Sequence, residues 1–574
     1  MYGASQVLAL SVSVVLCALA VLYSDFFSTL VLPTRPSSHL SVAEQHQLLA
    51  SLVFYSSKSP SYWTNPQPRT PQPLTTTIST PPPRIAFCCS ADLDVSVPAV
   101  ALMHQVELQQ HQQQHKTQHA TTSLALPVRH HERIDSLQEL QESFVFYFSS
   151  GAAAEQSVNS SAAFHEIVAL ANALPDVQRK VGGNAATMAA RASAEGCTVL
   201  LGAAMGVQMK QHFDDPTIQL VGTIEGEGKE DVHLVLEYGR GDAFRGHVSP
   251  RANRYYLNHD VHNARLSVLE EFERALETFE PDLVVFGGLQ LMEVEQDVRA
   301  RVLRLEALAG VLQNLYAVDT PTHYEFAAVS DFGLFSDTVR LVLPWVDSIG
   351  LNEQELFILH HFLVTGKEST ATTSRPTIAE ISAQLHGIIQ FAKDARETVE
   401  ASRRGKEDDG KHEVTVALAH LSRIHFHTLQ FHVVCQRKKG IWEDPTSALV
   451  QSALISSKVA CGKPPVPRSG SASDDENEAQ SMRTSAEMEV DPERVEMLLA
   501  REQLLSERQD LKVDLDPLSP VITWQEADFQ CHLVPMLACK KPDYTAGLGD
   551  NISGTGIAYH RLQKTKTKAG VFAE

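Results

Sequence analysis

The chain has 574 residues, of which 43% are hydrophobic, and its formal net charge at pH 7 is −21. This length and apolar content allow one large globular domain with insertions, or two to three smaller domains, with a sizeable core. The acidic balance argues against a general nucleic-acid binder, whose footprint is a basic surface. The 8 cysteines include no CxxC pair, which disfavours a zinc ribbon or a small disulfide scaffold.

The first 83 residues do not resemble a folded domain. Residues 7–23 are almost uninterruptedly apolar, and residues 33–83 are rich in Pro, Ser and Thr. The apolar run is slightly short for a membrane span, and no Lys or Arg precedes Arg35, so a signal peptide and an uncleaved anchor both stay open. A buried core helix is a third interpretation. We expect residues 1–24 to be a signal peptide or membrane anchor, and residues 25–83 to be a linker unable to build a core.

Either form of the N-terminal segment would place the chain in the secretory pathway. We expect the endoplasmic reticulum, with the protein anchored in its membrane or free in its lumen, and secretion is the further outcome. In an oxidising compartment Cys461 and Cys539 could form a disulfide, although the sequence alone cannot pair cysteines.

From residue 84 onward, strand-like and helix-like segments alternate, and Arg84–Cys89 predicts a buried first strand. Further strands are predicted at Thr198–Leu201, Gln219–Ile224, Val232–Tyr238, Leu283–Phe286, Tyr324–Val329 and Ile424–Cys435. Helices are predicted at Leu137–Phe148, Phe164–Leu174, Ala264–Phe279, Val298–Tyr316, Glu353–Leu363 and Ile378–Phe391. The alternation is typical of an α/β protein with a mostly parallel sheet. The runs at 232–238 and 254–257 lack a long helix between them, which predicts an antiparallel excursion from that sheet.

Three segments interrupt the alternation. The tract Gln105–His119 consists largely of Gln and His, and we expect a disordered insertion rather than a metal site because its histidines are irregularly spaced. Arg403–Lys411 and Gly462–Asp491 are charged or rich in Ser and acidic residues, and they are predicted to be solvated loops.

A first group of polar residues lies near the predicted first strand and a predicted helix start. Asp94 follows the strand, at the position where open α/β sheets place ligand groups. Glu155 and Asn184 would add a carboxylate and an amide suited to hydroxyl groups, and Gly182–Gly183 would let a ligand approach the backbone. The alternative is that Asn184 only caps a helix and that Glu155 is an ordinary surface residue.

A second group places carboxylates at a strand and at a helix start. His323 and Glu325 share one face of a predicted strand, and Asn352 and Glu355 lie on one side of a predicted helix. Two carboxylates so placed could hold Mg²⁺ through water molecules. A capping box, with Asn352 as the N-cap and Glu355 at N3, explains the second pair without a metal.

Three histidines lie in the last predicted strand. His425 and His427 share one face of Ile424–Cys435, and His432 is predicted on the other face. Two facing histidines can begin a zinc site, but no third ligand lies nearby in the sequence, so we do not expect one.

The last group is a glycine turn near the C-terminus, Gly547-Leu548-Gly549-Asp550. A glycine turn that leads into a helix directs backbone N–H groups and the positive end of the helix dipole at one point, which forms an anion site. Asp550 at the edge of that site could take a proton from a hydroxyl group while the site stabilises a phosphoryl group. The alternative is a plain helix start with Asp near the N-cap.

Taken together, these segments resemble the eukaryotic ADP-dependent glucokinases, which belong to the ribokinase superfamily. The resemblance extends from about Arg84 to His560 and rests on seven segments in order. They are Val181–Ala186, Leu234–Tyr238, Ala252–Asp260, Pro281–Val285, Gly350–Leu356, Arg423–Thr428 and Gly547–Ser553. Ser90 departs from the family, whose members commonly have Asn there.

The resemblance implies a ribokinase-like large α/β domain, with a central, mostly parallel sheet flanked by helices, and a smaller β-rich lid. The kinase domain would span residues 84–562, with lid segments roughly within 95–135 and 215–262, and residues 563–574 would be a tail. The implied reaction transfers the β-phosphoryl group of ADP to the 6-hydroxyl of D-glucose in the presence of Mg²⁺.

The resemblance also implies a role for each candidate residue. Asp550 would be the catalytic base, beside an anion hole formed by the backbone of Gly547, Leu548 and Gly549, and Arg254 would clamp phosphate. The implied Mg²⁺ ligands are Glu325, Glu355 and Asp550. The implied sugar contacts are Asp94, Glu155, Gly183 and Asn184.

Two other functions stay open from the residues themselves. A Gly-x-Gly-Asp site cannot distinguish ADP from ATP, so one alternative is an ATP-dependent sugar or nucleoside kinase of the same superfamily. Another is a catalytically idle, membrane-tethered interaction protein, although Asp550, Glu325, Glu355 and Arg254 together argue against it. We expect a monomer that binds ADP and glucose, binds no nucleic acid, and attaches to a membrane only through residues 7–23.

Overall fold

The structure is a computed structural model that describes most of the chain from residue 41 to residue 562. The described residues are 41–58, 81–115, 127–131, 133–152, 154–175, 177–223, 230–329, 331–369, 376–403, 416–461, 488, 490–498, 516–540 and 547–562. The predicted N-terminal segment 1–24 and the tail 563–574 lie outside the described residues, as do most of the insertions predicted at 403–411 and 462–491.

The α-helices of the described residues are named α1 to α13 in chain order. They are α1 (Val42–Lys58), α2 (Ala99–His115), α3 (Leu137–Ser150), α4 (Ser161–Asn172), α5 (Asn184–Ala194), α6 (Val207–Gln211), α7 (Leu269–Phe279), α8 (Val298–Ala317), α9 (Phe332–Leu341), α10 (Glu353–Thr365), α11 (Ile378–Arg403), α12 (Pro445–Cys461) and α13 (Leu548–Ala558). Short 3₁₀ helices cover Asn263–Arg265, Leu289–Val294 and Leu343–Trp345.

The strands are likewise named β1 to β21. They are β1 (Arg84–Cys88), β2 (Asp92–Pro98), β3 (Ala154–Ser157), β4 (Gln178–Gly182), β5 (Thr198–Met205), β6 (Ile218–Thr223), β7 (Val232–Tyr238), β8 (Ala243–Phe244), β9 (His247–Val248), β10 (Asn253–Asn258), β11 (Leu283–Gly287), β12 (Thr322–Glu325), β13 (Ser348–Leu351), β14 (Arg423–His427), β15 (Phe431–Arg437), β16 (Trp442–Glu443), β17 (Val495–Met497), β18 (Ile522–Glu526), β19 (Phe529–Pro535), β20 (Leu537–Cys539) and β21 (Arg561–Leu562).

A 10-stranded main sheet runs in the order β18-β19-β15-β14-β13-β12-β11-β1-β5-β6. The strands from β14 to β6 all pair in parallel, and β15, β19 and β18 extend that sheet with antiparallel pairs. Strand β1 shows how both faces are buried. Ala86 and Cys88 point into one apolar cluster and Ile85 and Phe87 into another, as expected for a parallel strand covered by helices on both sides. The α/β prediction is confirmed.

A second, 5-stranded sheet has the order β3-β10-β7-β2-β4. Strands β7 and β10 pair antiparallel, as the missing helix between them predicted. The two strands lie in the stretch 215–262 predicted for a lid, whereas β3 and β4 lie outside both predicted stretches. One face of this sheet is apolar, with Leu93, Leu234 and Leu257 buried in the same cluster as Phe87.

Helix α1 corrects the prediction that residues 25–83 cannot contribute to a core. Its side chains Leu48, Leu49 and Leu52 are 0%, 7% and 1% exposed and belong to the core cluster on one side of the main sheet. The helix packs against α12. The composition of the flanking sequence concealed it, since Pro, Ser and Thr dominate there while Val42–Lys58 contains no proline.

Shortening one of these leucines should therefore destabilise the fold. We expect Leu48→Ala to lower the free energy of unfolding by about 2–5 kcal/mol, through lost burial and the cavity left behind. The matched control is Val53→Ala in the same helix, because Val53 is 48% exposed. Chemical denaturation of both variants checks the prediction, and equal stabilities would contradict the docking of α1.

Two further local predictions are wrong. Helix α2 runs to His115, so the part of the tract between Gln105 and His115 is helical and not a disordered insertion; Gln favours a helix almost as well as Glu or Lys. The predicted strand Ile424–Cys435 is a hairpin of β14 and β15, in which His427 pairs directly with His432. The two histidines therefore share a face, contrary to the prediction.

Among the described residues, no helix is long and apolar enough to cross a membrane. The structure joins Cys461 to Cys539, the pair that the sequence left open, and it also joins Cys435 to Cys531 and Cys88 to Cys89. The Cys435–Cys531 bridge connects directly opposed residues of β15 and β19.

Candidate active site

Polar residues collect where neighbouring parallel strands of the main sheet end. Glu325 is the last residue of β12, Asn352 follows β13 directly, and His427 is the last residue of β14. Ligands of open α/β sheets bind outside the carboxyl ends of the strands. This edge of the main sheet is therefore the candidate site.

Helix α13 brings the glycine turn to the same edge. Gly547 is its N-cap and has a left-handed backbone, with φ at 63°, which glycine adopts without strain. The helix then starts at Leu548, so Asp550 lies in its first turn. The first N–H groups of a helix have no partner within the helix, and they lie at the positive end of its dipole. The helix start predicted behind the glycine turn is therefore confirmed, and the anion site stays a prediction.

Asp550 is held in place from α5. The side-chain amide of Asn184 donates to Asp550 Oδ1 at 2.8 Å, and Gln290 donates in turn to Asn184 Oδ1 at 3.1 Å. Burial raises the pKa of Asp550 to about 7, against the hydrogen bond from Asn184 and with the help of the charge of Glu325. A carboxyl group that titrates near neutrality is suited to accept a proton from a substrate hydroxyl.

Glu325 is a buried carboxylate with three hydrogen-bond donors. Its Oε1 accepts from Ser553 on α13 at 2.7 Å and from His427 at 3.3 Å, and its Oε2 accepts from His323 at 3.0 Å. Burial opposes its ionisation, but the hydrogen bonds from His323 and His427 outweigh it and lower the pKa of Glu325 to about 2. Glu325 is therefore ionised, and it ties α13 to the main sheet.

The orientation of His323 follows from its partners. A carboxylate only accepts hydrogen bonds, so the Nε2 of His323 carries the proton that it gives to Glu325. Burial lowers the pKa of His323 although Glu325 opposes this, so the ring is neutral and its Nδ1 is an acceptor. That Nδ1 lies 2.8 Å from the hydroxyl of Ser348, which accepts from Arg423 Nη1 at 3.0 Å. The fully buried guanidinium of Arg423 thus fixes the tautomer of His323 through Ser348.

Removing the Ser348 hydroxyl should break this chain of hydrogen bonds. We expect Ser348→Ala to lower the free energy of unfolding by about 1–3 kcal/mol, because buried polar groups on His323 and Arg423 lose a partner. The wild-type protein should show the Nε2–H tautomer of His323 in its ¹⁵N NMR spectrum, and so should the variant, because Glu325 still accepts from Nε2.

The control is Ser452→Ala. Ser452 is also fully buried, but its hydroxyl donates to carbonyl groups of its own helix, at Ala448 and Leu449, so its loss should cost less. An Nδ1–H tautomer of His323 in the wild-type protein would contradict the assignment.

Glu355 is the N3 residue of a capping box, which the sequence predicted as the alternative to a metal site. Asn352 caps α10, its backbone N–H donates to Glu355 Oε2 at 2.8 Å, and its side-chain amide donates to Glu355 Oε1 at 2.8 Å. Burial raises the pKa of Glu355 to about 8, although the hydrogen bond from the Asn352 backbone opposes this. A nearby divalent cation would supply the positive charge that keeps such a carboxylate ionised, so Glu355 suits a metal as well as a cap.

The second sheet turns a polar face towards the same site. Alternate residues of β2 and β10 on this face include Asp94, Arg254 and Tyr256, and Glu155 of β3 pairs with Tyr256. Burial raises the pKa of Asp94 to about 6, while the charges of His233 and Arg254 oppose this. The charge of Asp94 in turn raises the pKa of Asp550. The predicted sugar contacts and the predicted base therefore lie around one cleft between the two sheets.

The turn between β4 and α5 is packed so tightly that it needs glycine. Gly183 has φ at 84°, and a Cβ there would lie 2.7 Å from the Cα of Ala91. Ser90 is 1% exposed, and its hydroxyl accepts from the backbone N–H of Ala185 at 3.1 Å. Ser90 therefore caps the start of α5, so its departure from Asn bears on that helix start.

The sequence and the fold agree with a known family. The family profile described as the ADP-specific Phosphofructokinase/Glucokinase conserved region matches residues 83–559. The chain belongs to this family. The match spans both sheets and ends beyond α13, so it covers the whole cleft.

The chain is also similar to two curated proteins. The chain is 30% identical over 437 residues to the ADP-dependent glucokinase of Bos taurus, covering 75% of this chain and 78% of that protein. It is 27% identical over 441 residues to the "Probable ADP-dependent glucokinase" of Caenorhabditis elegans, covering 75% of this chain and 79% of that one.

Two solved structures share the fold of this chain. An ADP-dependent kinase in complex with fructose-6-phosphate and ADPβS superposes with a TM-score of 0.57 at 15% identity, over 90% of this chain and 97% of that chain. The last common ancestor of the ADP-dependent phosphofructokinases from Methanosarcinales gives a TM-score of 0.51 at 17% identity, over 91% of this chain and 98% of that chain.

Three residues that position the candidate site were not predicted from the sequence. Ser553, Gln290 and Arg423 position Glu325, Asn184 and His323, yet none was singled out for such a role. Only Gln290 had a recognisable signal, because it follows the glycine pair Gly287–Gly288 at the carboxyl end of a predicted strand. All three act through partners far away in sequence.

Two glycines of α13 also have an explanation in the structure. A Cβ on Gly554 would lie 3.1 Å from the carbonyl oxygen of Met188 on α5, and a Cβ on Gly556 would lie 2.8 Å from Cε1 of His425. Helix α13 therefore packs closely on both neighbours. His425 and His432 are fully buried, and burial lowers the pKa of both rings, so they are neutral core residues.

Proposed function

We propose that this protein transfers the β-phosphoryl group of ADP to the 6-hydroxyl of D-glucose, giving AMP and glucose 6-phosphate. The observation that supports it best is the position of Asp550, in the first turn of α13 behind the left-handed Gly547 and hydrogen-bonded to Asn184. A base at the edge of an anion site is the arrangement that phosphoryl transfer to a hydroxyl needs. The names of the bovine and nematode relatives support ADP as donor and glucose as acceptor.

Asp550 would act on the acceptor. Its carboxylate takes the proton of the sugar hydroxyl as the new bond to phosphorus forms, and Asn184 holds the carboxylate in the required orientation. A pKa near 7 keeps a large fraction of the base ionised at neutral pH while leaving it basic enough to accept the proton.

The N-terminus of α13 would act on the donor. The backbone N–H groups of Gly547, Leu548, Gly549 and Asp550 would point at the transferring phosphoryl group and stabilise the charge on its oxygens. Arg254 lies on β10 and would clamp a phosphate through its forked guanidinium.

Mg²⁺ would be held by Glu325 and Glu355, with Asp550 close by. The fit rests on the donor set: Glu325 is ionised, and Glu355 is a buried carboxylate that lacks a cationic hydrogen-bond partner in the described part of the chain. Mg²⁺ usually keeps several waters in such sites. When bound, it would neutralise charge on the phosphate oxygens.

Residues of the second sheet and of the start of α5 would bind the sugar. Asp94 and Glu155 offer carboxylate oxygens to sugar hydroxyls, Asn184 offers an amide, and Gly183 would offer its backbone. Closure of this sheet over the cleft would exclude water, which otherwise competes with glucose as the acceptor.

The preferred phosphoryl donor, ADP or ATP, distinguishes this proposal from the alternative of an ATP-dependent kinase. Purified protein with glucose and Mg²⁺ is expected to turn over ADP at least about tenfold faster than ATP, a difference of about 1.4 kcal/mol in activation free energy. Faster turnover with ATP would favour the alternative kinase. Turnover with neither nucleotide, together with no nucleotide binding in calorimetry, would favour an idle interaction protein.

We also propose that the chain resides in the endoplasmic reticulum as a monomer. The apolar run at 7–23 and the pairing of Cys461 with Cys539 support an oxidising compartment of the secretory pathway. In isolated microsomes, the region 84–562 should resist added protease until detergent is present. Digestion without detergent would contradict a lumenal location.

A further inference from the structure

The sequence contains two Asn-x-Ser triplets, the acceptor pattern for N-linked glycans in the secretory pathway. They are Asn159-Ser160-Ser161 and Asn551-Ile552-Ser553. A glycan is bulky and lies at the protein surface, so the acceptor asparagine must have room for a sugar on its side-chain nitrogen. The surroundings of the two asparagines differ in this respect.

The second triplet is part of the candidate active site. Asn551 is 9% exposed, and its Nδ2 donates to the carbonyl oxygen of Gly547 at 2.9 Å. Ser553 is fully buried, and its hydroxyl donates to Glu325 at 2.7 Å. A sugar on Asn551 Nδ2 would have to lie inside the protein at the start of α13, so we assign no glycan to this triplet.

The first triplet lies at the surface between β3 and α4. Nδ2 of Asn159 donates to Asp135 Oδ1 at 2.8 Å, and Oδ1 of Asn159 accepts from Gln296 at 3.3 Å. Asn159 is half-buried, whereas Asp135 and Gln296 are exposed. An amide nitrogen has two N–H groups. One of them can be replaced by a bond to a sugar while the other keeps the hydrogen bond to Asp135.

The two serines of this triplet have different roles in the fold. Ser160 is the N-cap of α4, and its hydroxyl accepts from the backbone N–H of Ala163 at 3.2 Å. Ser161 is the exposed first residue of the helix, and its hydroxyl lies 3.3 Å from Nδ1 of His165, one turn further along. The helix start thus uses the side chain at position 160 as its cap. The hydroxyl at position 161 does not cap the helix, but the glycosylation pattern requires it.

We propose that Asn159 is the acceptor of an N-linked glycan, an inference that rests on the proposed location in the endoplasmic reticulum. The donor is an oligosaccharide joined through a diphosphate to a membrane lipid. In the transfer, C1 of the first sugar forms a bond to Asn159 Nδ2, which loses one proton. The bond from C1 to the diphosphate oxygen breaks, and the lipid diphosphate leaves with its electron pair.

The test is the electrophoretic mobility of the full chain, translated in the presence of microsomes, before and after treatment with peptide N-glycosidase F. We expect the wild-type chain to show a single downward shift. Mass spectrometry after digestion in ¹⁸O-labelled water should find the label at position 159 and not at position 551. Asn159→Gln and Ser161→Ala should each abolish the shift. Ser160→Ala, the matched change of the neighbouring serine, keeps the triplet and should keep the shift.

A second form of the chain separates the glycan from the proposed location, and neither form requires the proposed phosphoryl transfer. It carries the cleavable signal peptide of a secreted protein ahead of residue 1, and protection of residues 84–562 from added protease verifies its entry into the microsomes. A shift in this form alone would support the acceptor and contradict the location of the natural chain. A protected chain without a shift would overturn the proposal. So would a shift that persisted in Asn159→Gln, because the glycan would then be on Asn551.

Discussion

Replacing Asp550 with Asn is expected to lower kcat for glucose phosphorylation by about 10²- to 10⁴-fold, the range that a positioned general base contributes. The amide keeps the shape of the side chain, and its oxygen can still accept the hydrogen bond from Asn184. It cannot take a proton from the sugar hydroxyl. Burial already raises the pKa of Asp550 to about 7, so a neutral side chain at this position should not weaken the fold.

Steady-state kinetics with ADP and glucose, together with a thermal melt, check this prediction. Asp297→Asn is the matched control, since Asp297 is also an acid at a helix start, where it caps α8, and Asn caps helices equally well. The control should retain wild-type kcat. If Asp550→Asn kept more than about a third of wild-type kcat at an unchanged Tm, Asp550 would not be the base.

Replacing Gly350 with Ala should remove most activity by displacing Glu325. A Cβ on Gly350 would lie 1.9 Å from Glu325 Oε2, and the carboxylate cannot retreat because His323 and Ser553 hold it from opposite sides of the group. Overpacking of this kind typically costs about 1–3 kcal/mol of stability. We expect that loss of stability and at least a 100-fold fall in kcat. The reason is that Glu325, which is both the proposed metal ligand and the anchor of α13, would move.

Gly310→Ala provides the comparison. Gly310 lies within α8, and a Cβ there meets no atom within 4 Å, so alanine should stabilise the helix by about 0.5–1 kcal/mol and leave kcat unchanged. Urea denaturation and kinetics of both variants separate steric displacement of Glu325 from a general effect of losing a glycine. A Gly350→Ala variant as active and stable as Gly310→Ala would contradict the account of Glu325.

The elements that the sequence predicted best are those whose signal is local. The apolar run Arg84–Cys88 predicts a buried strand because both of its faces are covered. The turn Gly547–Asp550 predicts a helix start because only glycine adopts the backbone that its N-cap needs. The spacing of Asn352 and Glu355 predicts a capping box, which the structure confirms, whereas the metal role of Glu355 stays a prediction.

Hydrogen bonds between residues far apart in the chain could not be predicted from the sequence. Asn184 and Asp550 are 366 residues apart, and Ser553 and Glu325 are 228 apart, so no periodicity links them. The direction of each hydrogen bond around Arg423 likewise depends on three strands meeting in one sheet. Such contacts follow from the fold and not from any one segment.

Local errors arose where composition concealed structure. Proline-rich flanks hid α1, and repeated Gln and His residues in α2 resembled a low-complexity tract. The hairpin between β14 and β15 turns at Thr428–Gln430 without glycine, asparagine or proline, so the run appeared to be one strand. Packing against α12 explains α1, helix propensity explains α2, and antiparallel pairing explains the hairpin.

The most direct test of the proposed function is product analysis of a single reaction. The full chain is incubated with ADP, Mg²⁺ and ¹³C-labelled glucose, and the mixture is followed by ³¹P and ¹³C NMR. We predict AMP and glucose 6-phosphate in equal amounts, with phosphorus attached at carbon 6, and neither product from Asp550→Asn. AMP with inorganic phosphate and no sugar phosphate, or sugar phosphate formed only when ATP replaces ADP, would contradict it.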